Sequence, residues 1–479
     1  MVPGAVWSLS IRPPVDAAIS ARRGGGLNPA RKAGSLAQVQ GGDALTAEVA
    51  EVRQDIATAR ERNRLRSILA GSAGNLVESF DWFVYAAFGL YFSKVFFPGG
   101  DPTTQLLNTA AVFGVGFFAR PFGAWVMGLY GDRIGRKAAM VVSVSLMCAG
   151  SLIIALCPGH DRIGVAAPAI LVFARILQGM SMGGEYGASA TYLSEMAQRK
   201  TRGFWSGIFY STLIAGQLLA MLVLLVLTAF LSAAEMQAWG WRVPFFMGGG
   251  LALAVFWLRR GMDETPSFEA RTGPKATTLG LIRSHPREAL TVIGLTAGGT
   301  LAYYTYTTYI QKFLVNTAGF AKDQANLITA GGLLVFMLVN PLIGAISDRV
   351  GRRAILLTFG VLGAAMTWPL LSTLAATDSV WAAFGLTTLA LIVVAHYSSV
   401  NAVVKAELFP TEVRALGVAL PYSIANAAFG GTAEYVALAF KQAGHESWFF
   451  TYVTVVIAAS LLVYLLMRDT RRHSRIAED

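Results

Sequence analysis

The sequence predicts an all-α membrane protein in which twelve transmembrane helices form two pseudo-symmetric halves of six. Of its 479 residues, 54% are apolar and only 14% are charged, which is too apolar for an ordinary soluble protein of this length. Charge-free runs of about twenty residues, the length that crosses a bilayer as a helix, recur along the chain. In addition, one ten-residue motif occurs twice, at 128–137 and at 344–353.

Nine charge-free runs have spanning or near-spanning length. In chain order they are 138–159, 203–234, 243–258, 289–311, 324–347, 354–377, 379–404, 415–433 and 447–467. Three further runs contain charged side chains: 68–92 with Glu78 and Asp81, 103–130 with Arg120, and 165–192 with Arg175 and Glu185. Together these runs predict twelve helices.

The distribution of lysine and arginine predicts that both termini are cytoplasmic. Segments rich in these residues all fall on one side of the predicted helices: 1–66, 131–137, 198–202, 259–287, 347–353, 404–414 and 468–475. Cytoplasmic loops of membrane proteins carry such an excess of positive charge. We therefore expect a multi-pass protein of the inner (plasma) membrane, embedded in the lipid bilayer.

Five parts follow from this arrangement. Residues 1–66 are rich in Gly, Ala and Arg without apolar periodicity, which predicts a disordered cytoplasmic arm. The other four parts are the first six-helix half at 67–258, a cytoplasmic connection at 259–287, the second six-helix half at 288–467, and a cytoplasmic tail at 468–479.

The net charge of +11 does not indicate a nucleic-acid-binding protein, because the excess lies in short segments between apolar runs. Cys148 and Cys157 are separated by about 13 Å of helical rise, so they cannot form a disulfide. Because the sequence has no metal-ligand cluster, nucleophile motif or phosphate-binding loop, we expect neither an enzyme nor a bound metal or cofactor. We expect a monomer.

The repeated motif reads GLYGDRIGRK at 128–137 and GAISDRVGRR at 344–353. Its glycines permit a tight turn and a close approach of helices. Its aspartates, Asp132 and Asp348, can accept hydrogen bonds from the N-terminal amides of helices or from nearby arginines. Such contacts predict a latch that closes the cytoplasmic side in one state and breaks in the other.

A second repeated pair, Glu195 with Arg202 and Glu407 with Arg414, is predicted to join the same cytoplasmic networks. The complete predicted gating set is Gly128, Asp132, Arg133, Gly135, Arg136, Asp348, Arg349, Arg352, Glu195, Arg202, Glu407 and Arg414. One alternative is that the arginines of the motif only set the topology. Another is that the second pair forms simple surface ion pairs.

The two copies of G-x-x-x-D-R-x-G-R-K/R resemble the signature of the major facilitator superfamily. More narrowly, the segments 74–92, 175–195 and 406–418 resemble the metabolite:proton symporter family, and the resemblance covers nearly everything from 68 to 467. It implies the major facilitator fold and alternating access to a central site. It also implies proton-coupled import of a small carboxylate, with the dicarboxylate 2-oxoglutarate (α-ketoglutarate) as the expected substrate.

Several polar side chains share one depth near the middle of their predicted helices: Glu78, Asp81, Arg175, Gln178 and Gln217. A charge at the bilayer centre costs about 2.5–3.5 kcal/mol, so we expect these charges to be paired or used. We interpret the two carboxyls as proton-coupling groups and the other three side chains as substrate-binding groups. The alternative is permanent ion pairing, of Asp81 with Arg175 or of Glu78 with Arg120, that only orients helices.

A dicarboxylate needs positive groups or donors on both sides of a cavity. Because guanidinium binds carboxylate through two parallel hydrogen bonds, Arg120 and Arg175 are the best candidates. Lys312 is the third candidate, and Tyr306 and Tyr309 near it are candidate lining residues. The alternatives are that the tyrosines only pack and that Lys312 extends to the outer membrane interface.

Other functions stay open at this point. The same fold could carry citrate, shikimate, or proline and betaine by proton symport, and a proton antiport exporter or a non-transporting sensor are alternatives of another class. For a dianion, the membrane potential favours symport. Moving each negative charge into a negative interior costs about 2.3 kcal/mol per 100 mV.

Overall fold

Helices make up nearly all of the described chain. The computed structural model describes residues 74–89, 91–99, 102–261, 264–269, 277, 281 and 283–476. Within these residues, twelve long helices follow in chain order: α1 (helical residues 74–89 and 91–96), α2 (Pro102–Arg133), α3 (Arg136–Leu156), α4 (Ala166–Met196), α5 (Arg202–Phe230), α6 (Val243–Arg260), α7 (Pro286–Tyr304, Thr305–Tyr309 and Ile310–Asn316), α8 (Lys322–Val350), α9 (Arg352–Ala376), α10 (Val380–Leu408), α11 (Arg414–Ala425, Asn426–Gly430 and Ala433–Gln442) and α12 (Glu446–Leu466). Short helices lie at His160–Ile163, Ala233–Ala238, Gly240–Arg242 and Pro266–Glu269.

The predicted all-α fold with twelve helices is confirmed for the described residues, although the helix ends differ from the apolar runs. For example, α4 continues to Met196 rather than ending near 192. The acidic residue Glu185 can lie inside this buried helix because Arg259 of α6 forms a buried ion pair with its carboxylate. The predicted arm at 1–66 and the start of the first predicted helix lie outside the described residues.

Nine of the helices in the described ranges are each long and apolar enough to cross a membrane. The exceptions are α1, which carries Glu78 and Asp81, and α7 and α11, which each contain a π-helical segment. Large apolar side chains such as Leu222, Leu225 and Phe230 of α5 face outward, as expected of a membrane protein.

The two halves meet along two equivalent helix pairs, α5 with α8 and α2 with α11. At the first pair, Gly203 and Gly344 lie so close that a Cβ on either would collide with the backbone of the other. At the second, a Cβ on Gly128 would collide with the backbone of Leu416. Small residues therefore allow the helices of opposite halves to approach closely.

Both α7 and α11 contain a π-helical segment, and the one in α11 packs against the part of α7 that precedes its own π-helical segment. The α7 segment is Thr305–Tyr309 and the α11 segment is Asn426–Gly430. The ring of Tyr304 packs against Gly430. A single π turn within an α-helix changes the direction of its side chains and is frequent at functional sites.

Candidate functional site

A cavity of about 60 Å³ lies between the two halves. Its walls come from α1, α2, α4 and α5 on one side and from α7, α10 and α11 on the other. The lining residues are Asn75, Glu78, Ser79, Trp82, Phe83, Arg120, Met182, Tyr186, Tyr210, Leu213, Thr300, Tyr303, Tyr304, Tyr397, Tyr422, Ser423 and Asn426. This space is large enough for a few water molecules.

Arg120 of α2 brings a buried positive charge to this cavity. Its guanidinium lies over the rings of Trp82 and Phe117, 3.9 Å and 4.3 Å from their centroids. Nη1 donates a hydrogen bond to Tyr304 Oη at 3.4 Å, whereas Nε and Nη2 have no hydrogen-bond partner among the described residues. Among the described residues, Arg120 does not form the permanent ion pair with Glu78 that was one alternative. Arg120 is therefore a cation with two unused donors beside the cavity.

Arg175 of α4 lies behind the cavity wall rather than in it. Its guanidinium also contacts Trp82, 4.3 Å from the ring centroid, and lies equally close to Tyr85. Arg175 Nη1 donates to Gln178 Oε1 at 2.7 Å. Both arginines therefore contact the same indole, and a movement of Trp82 would change the packing of both guanidinium groups.

Asp81 of α1 is fully buried and lies outside the cavity lining. Its Oδ2 accepts hydrogen bonds from Ser151 Oγ and, at 2.7 Å, from Gln178 Nε2. Gln178 thus bridges Asp81 and Arg175, which form no direct ion pair in the described structure. Oδ1 of Asp81 has no hydrogen-bond partner among the described residues.

Glu78, one turn before Asp81, does line the cavity. Its Oε1 accepts from Ser181 Oγ at 2.6 Å and from Ser143 Oγ at 3.5 Å. Oε2 has no partner within the described part of the chain. Two buried carboxyls with unused oxygens therefore lie at different distances from the cavity.

The remaining predicted binding residues lie away from the cavity. Gln217 of α5 donates to the Thr307 carbonyl at 3.5 Å, and Tyr306 donates to Thr367 Oγ1 at 3.3 Å. Tyr309 is buried against Phe313 and Phe449. Lys312 forms a half-exposed ion pair with Glu434. In this conformation none of the four lines the described cavity, so their predicted binding roles stay predictions.

Besides Arg120 and Glu78, the cavity is lined by aromatic residues, of which Tyr186, Tyr210 and Tyr422 were not selected by sequence reasoning. Tyr186 of α4 stacks on Tyr422 of α11, with ring centroids 3.7 Å apart and planes 15° from parallel. Asn401 of α10 donates to the hydroxyl oxygens of Tyr186, at 3.1 Å, and Tyr210. A tyrosine in a glycine-rich helix, such as Tyr186 beside Gly187, was the available signal, because small neighbours leave room for a second helix.

The repeated motif forms two equivalent contacts between the halves. Asp132 accepts hydrogen bonds from the backbone amides of Ala415 and Leu416 at 2.9 Å and 2.8 Å, at the start of α11. Asp348 accepts in the same way from Gly203 and Phe204 at 2.8 Å and 2.9 Å, at the start of α5. Each aspartate thus satisfies N-terminal amides of a helix in the opposite half, where negative charge is favoured.

Arginines and glutamates surround both contacts. Arg136 forms a 2.7 Å ion pair with Asp132, and Arg352 forms a 2.8 Å pair with Asp348. Glu195 pairs with Arg136 and with Arg414, whereas Glu407 lies 3.8 Å from Arg352. These pairs are buried, so they are not the surface ion pairs that were one alternative. We call this end of the bundle the motif face, defined by 128–137 and 344–353.

The other predicted gating residues have distinct places on the motif face. Arg202 Nε donates to the Ser194 carbonyl at 3.1 Å. Gly135, with φ of 141°, lies at the N-terminus of α3, a backbone conformation that favours glycine. The side chains of Arg133 and Arg349 are exposed. The structure therefore brings together the aspartates, Arg136, Arg352, the glutamates and Arg414, while Arg133 and Arg349 face outward.

Comparison with known proteins identifies the family. The model of the sugar (and other) transporter family matches residues 67–278 and 267–475. The alpha-ketoglutarate permease of Escherichia coli (strain K12) is 50% identical over 87% of this chain and 96% of its own length. The citrate-proton symporter of Salmonella typhi is 34% identical over 83% of this chain and 94% of its own length.

A solved structure establishes the fold independently. The major facilitator superfamily proton:xylose symporter XylE, bound to 6-bromo-6-deoxy-D-glucose, superposes with a TM-score of 0.76 over 87% of this chain and 98% of its own. At 17% sequence identity this likeness concerns the fold alone. The relatives are transporters and not enzymes. The chain belongs to the sugar (and other) transporter family, and it has the major facilitator fold.

Proposed function

We propose that this chain imports a dicarboxylate, 2-oxoglutarate, together with protons by alternating access. The observation that carries the proposal is Arg120, a buried cation with two unused donors beside a cavity between the two halves. A carboxylate of the substrate satisfies those donors. The 50% identity to the alpha-ketoglutarate permease supports 2-oxoglutarate as the substrate.

Glu78 and Asp81 supply the proton coupling in this proposal. Glu78 lines the cavity, so it can exchange a proton with water there, whereas Asp81 is held by Ser151 and Gln178. Gln178 also contacts Arg175, and Arg175 packs against the same Trp82 ring as Arg120. A change of charge at Asp81 therefore alters the position of Arg175 and, through Trp82, that of Arg120. Binding of substrate at Arg120 and loading of protons are thereby linked.

The membrane potential makes the protons useful. Carrying a dianion into a negative interior costs about 2.3 kcal/mol per charge per 100 mV, so roughly two protons must accompany it to remove that opposition. A uniporter would tend to empty the cell of the substrate. Symport with protons converts the gradient into accumulation.

The motif face is cytoplasmic in this proposal, with both chain termini on that side of the inner membrane. Asp132 and Asp348 hold the N-terminal amides of α11 and α5, so the cytoplasmic side is closed in this conformation. Opening inward requires those bonds to break. A monomer in the lipid bilayer suffices for this mechanism, since both walls of the cavity come from one chain.

Citrate is the second candidate substrate, favoured by the 34% identity to a citrate-proton symporter. The test is uptake of radiolabelled 2-oxoglutarate or citrate by right-side-out membrane vesicles with an imposed inward proton gradient. Vesicles from cells that lack the chain serve as the control. We expect accumulation of 2-oxoglutarate that unlabelled citrate and proline inhibit only weakly. Accumulation of citrate without 2-oxoglutarate would transfer the proposal to citrate.

A further inference from the structure

Lys405, in the last turn of α10, is a buried cation that the proposed mechanism has not used. Its side chain is fully buried, and its Nζ lies 3.8 Å from the ring centroid of Tyr422 and 5.1 Å from that of Tyr186. Nζ donates to Tyr186 Oη at 3.2 Å. No acidic side chain of the described ranges pairs with it. Only neutral aromatic groups therefore stabilise this ammonium, by cation–π contact and one hydrogen bond.

Lys405 is separated from the cavity by a single aromatic layer. The stacked rings of Tyr186 and Tyr422 both line the cavity, and Lys405 contacts both rings. Glu407, two residues further along α10, belongs to the ion-pair network of the motif face. Lys405 thus lies between the cavity and the motif face, and under the proposed alternating access a substrate passes this level when that face opens.

The contacts that enclose Lys405 cross from one half to the other. Tyr186 and Tyr210 belong to the first half, whereas Asn401, Lys405 and Tyr422 belong to the second. Separation of the halves at the motif face would break the Tyr186–Tyr422 stack and the bonds from Asn401 and Lys405 to the tyrosine hydroxyls, because these contacts join opposite halves. Lys405 would then keep its contact with Tyr422, which is in its own half, and lose Tyr186.

We propose that Lys405 is a second cationic binding site for the substrate carboxylate, used on the motif-face side of the Tyr186–Tyr422 stack when that face opens. The inference rests on the proposed import of a dicarboxylate. With the motif face closed, Tyr186 and Tyr422 are the contact partners of the Lys405 ammonium group. With the face open, a carboxylate replaces Tyr186 as its partner and moves from Arg120 toward the cytoplasm. A buried charge without a counter-ion is costly, so this exchange of a neutral partner for an anion is favourable.

The test compares substrate affinity at the two membrane faces. Initial rates of 2-oxoglutarate transport are measured against concentration in right-side-out and inside-out vesicles, for the unaltered protein, Lys405→Gln and Lys405→Arg. Lys200→Gln is the matched control, because Lys200 is an exposed lysine in a loop at the motif face. The amount of each variant in the membrane is quantified alongside.

Loss of a charge-assisted hydrogen bond predicts that Lys405→Gln raises the KM at the cytoplasmic face by about tenfold or more, with a much smaller change at the outer face. Lys405→Arg should keep a cytoplasmic KM close to that of the unaltered protein, and Lys200→Gln should change neither value. If Lys405→Gln does not reach the membrane, Lys405→Met replaces it, since it keeps the side-chain length without the charge.

Two results would overturn the role of Lys405. Equal changes at both faces would mean that the lysine only supports the tyrosine stack, and unchanged values at both faces would mean that it does not bind substrate. Failure of the unaltered protein to transport 2-oxoglutarate would instead refute the proposed function. The same vesicles therefore distinguish the two failures.

Discussion

At the scale of single residues, Arg120 has the clearest chemical assignment. Its planar guanidinium lies over Trp82 and Phe117, a geometry that a lysine cannot reproduce. We expect Arg120→Lys to raise the KM for 2-oxoglutarate by about tenfold or more although the charge is kept. The reason is that lysine cannot donate the two parallel hydrogen bonds that the guanidinium is proposed to give to the substrate carboxylate. Concentration-dependent uptake measures this effect.

The control for Arg120 is Lys441→Gln. Lys441 is partly exposed and paired with Glu446, away from the cavity. We expect its KM to stay within about twofold of the unaltered value, because surface ion pairs contribute little. A larger defect in Lys441→Gln than in Arg120→Lys would contradict a substrate site at Arg120.

Asp81 is the second residue with a specific expected phenotype. Asn at this position can still hydrogen-bond to Ser151 and Gln178 but cannot carry a proton on and off. We expect Asp81→Asn to abolish uphill accumulation while exchange of labelled for unlabelled substrate across the membrane continues. The two assays are run on the same vesicles, with Glu434→Gln as a carboxyl control in the part of α11 farthest from the motif face. Normal accumulation by Asp81→Asn would favour a purely structural role.

At the scale of helices, the contact of Asp132 with the start of α11 is the feature to test. A carboxylate accepts from both amides, whereas the amide of Asn offers one acceptor and places a donor against the second N–H. Each bond to a charged group contributes about 1.5–3 kcal/mol, so Asp132→Asn should shift the equilibrium toward an open motif face by about tenfold.

Accessibility of the cavity from the motif face measures this shift. A cysteine replaces the buried, cavity-lining Ser423 in a chain whose Cys148 and Cys157 are changed to serine, and a membrane-impermeant maleimide is added from the cytoplasmic side. We expect faster labelling with Asp132→Asn. Asp161→Asn should leave the rate unchanged, because Asp161 is an exposed carboxyl in the short helix that follows α3, at the end of the bundle opposite the motif face. Equal labelling rates in all three proteins would refute the latch.

Helix positions were largely predictable, because bilayer thickness imposes one length on every crossing segment. The π-helical segments of α7 and α11 were not. Residues such as Thr305 and Asn426 have no composition that distinguishes a π turn from an α turn. The α11 segment packs against α7, more than a hundred residues earlier in the chain, and packing between distant segments leaves no local periodicity in the sequence.

At the scale of the whole molecule, the internal repeat predicted the two halves, and the structure has reciprocal contacts of Asp132 with α11 and of Asp348 with α5. The central site was predictable only in part. Charge inside an apolar run predicted Arg120 and Glu78, which line the cavity, since burial of charge is rare enough to be informative. Lys405 was counted among the cytoplasmic charges, because its sequence position near the end of α10 does not reveal that Tyr186, 219 residues earlier, covers it.

Proton movement during transport tests the central claim most directly. A pH electrode follows a weakly buffered suspension of right-side-out vesicles while 2-oxoglutarate is added without any imposed gradient, in parallel with uptake of the radiolabelled compound. We expect alkalinisation of the medium that accompanies uptake and disappears with a protonophore or with Asp81→Asn. Uptake at an undiminished rate without any change of external pH would contradict it.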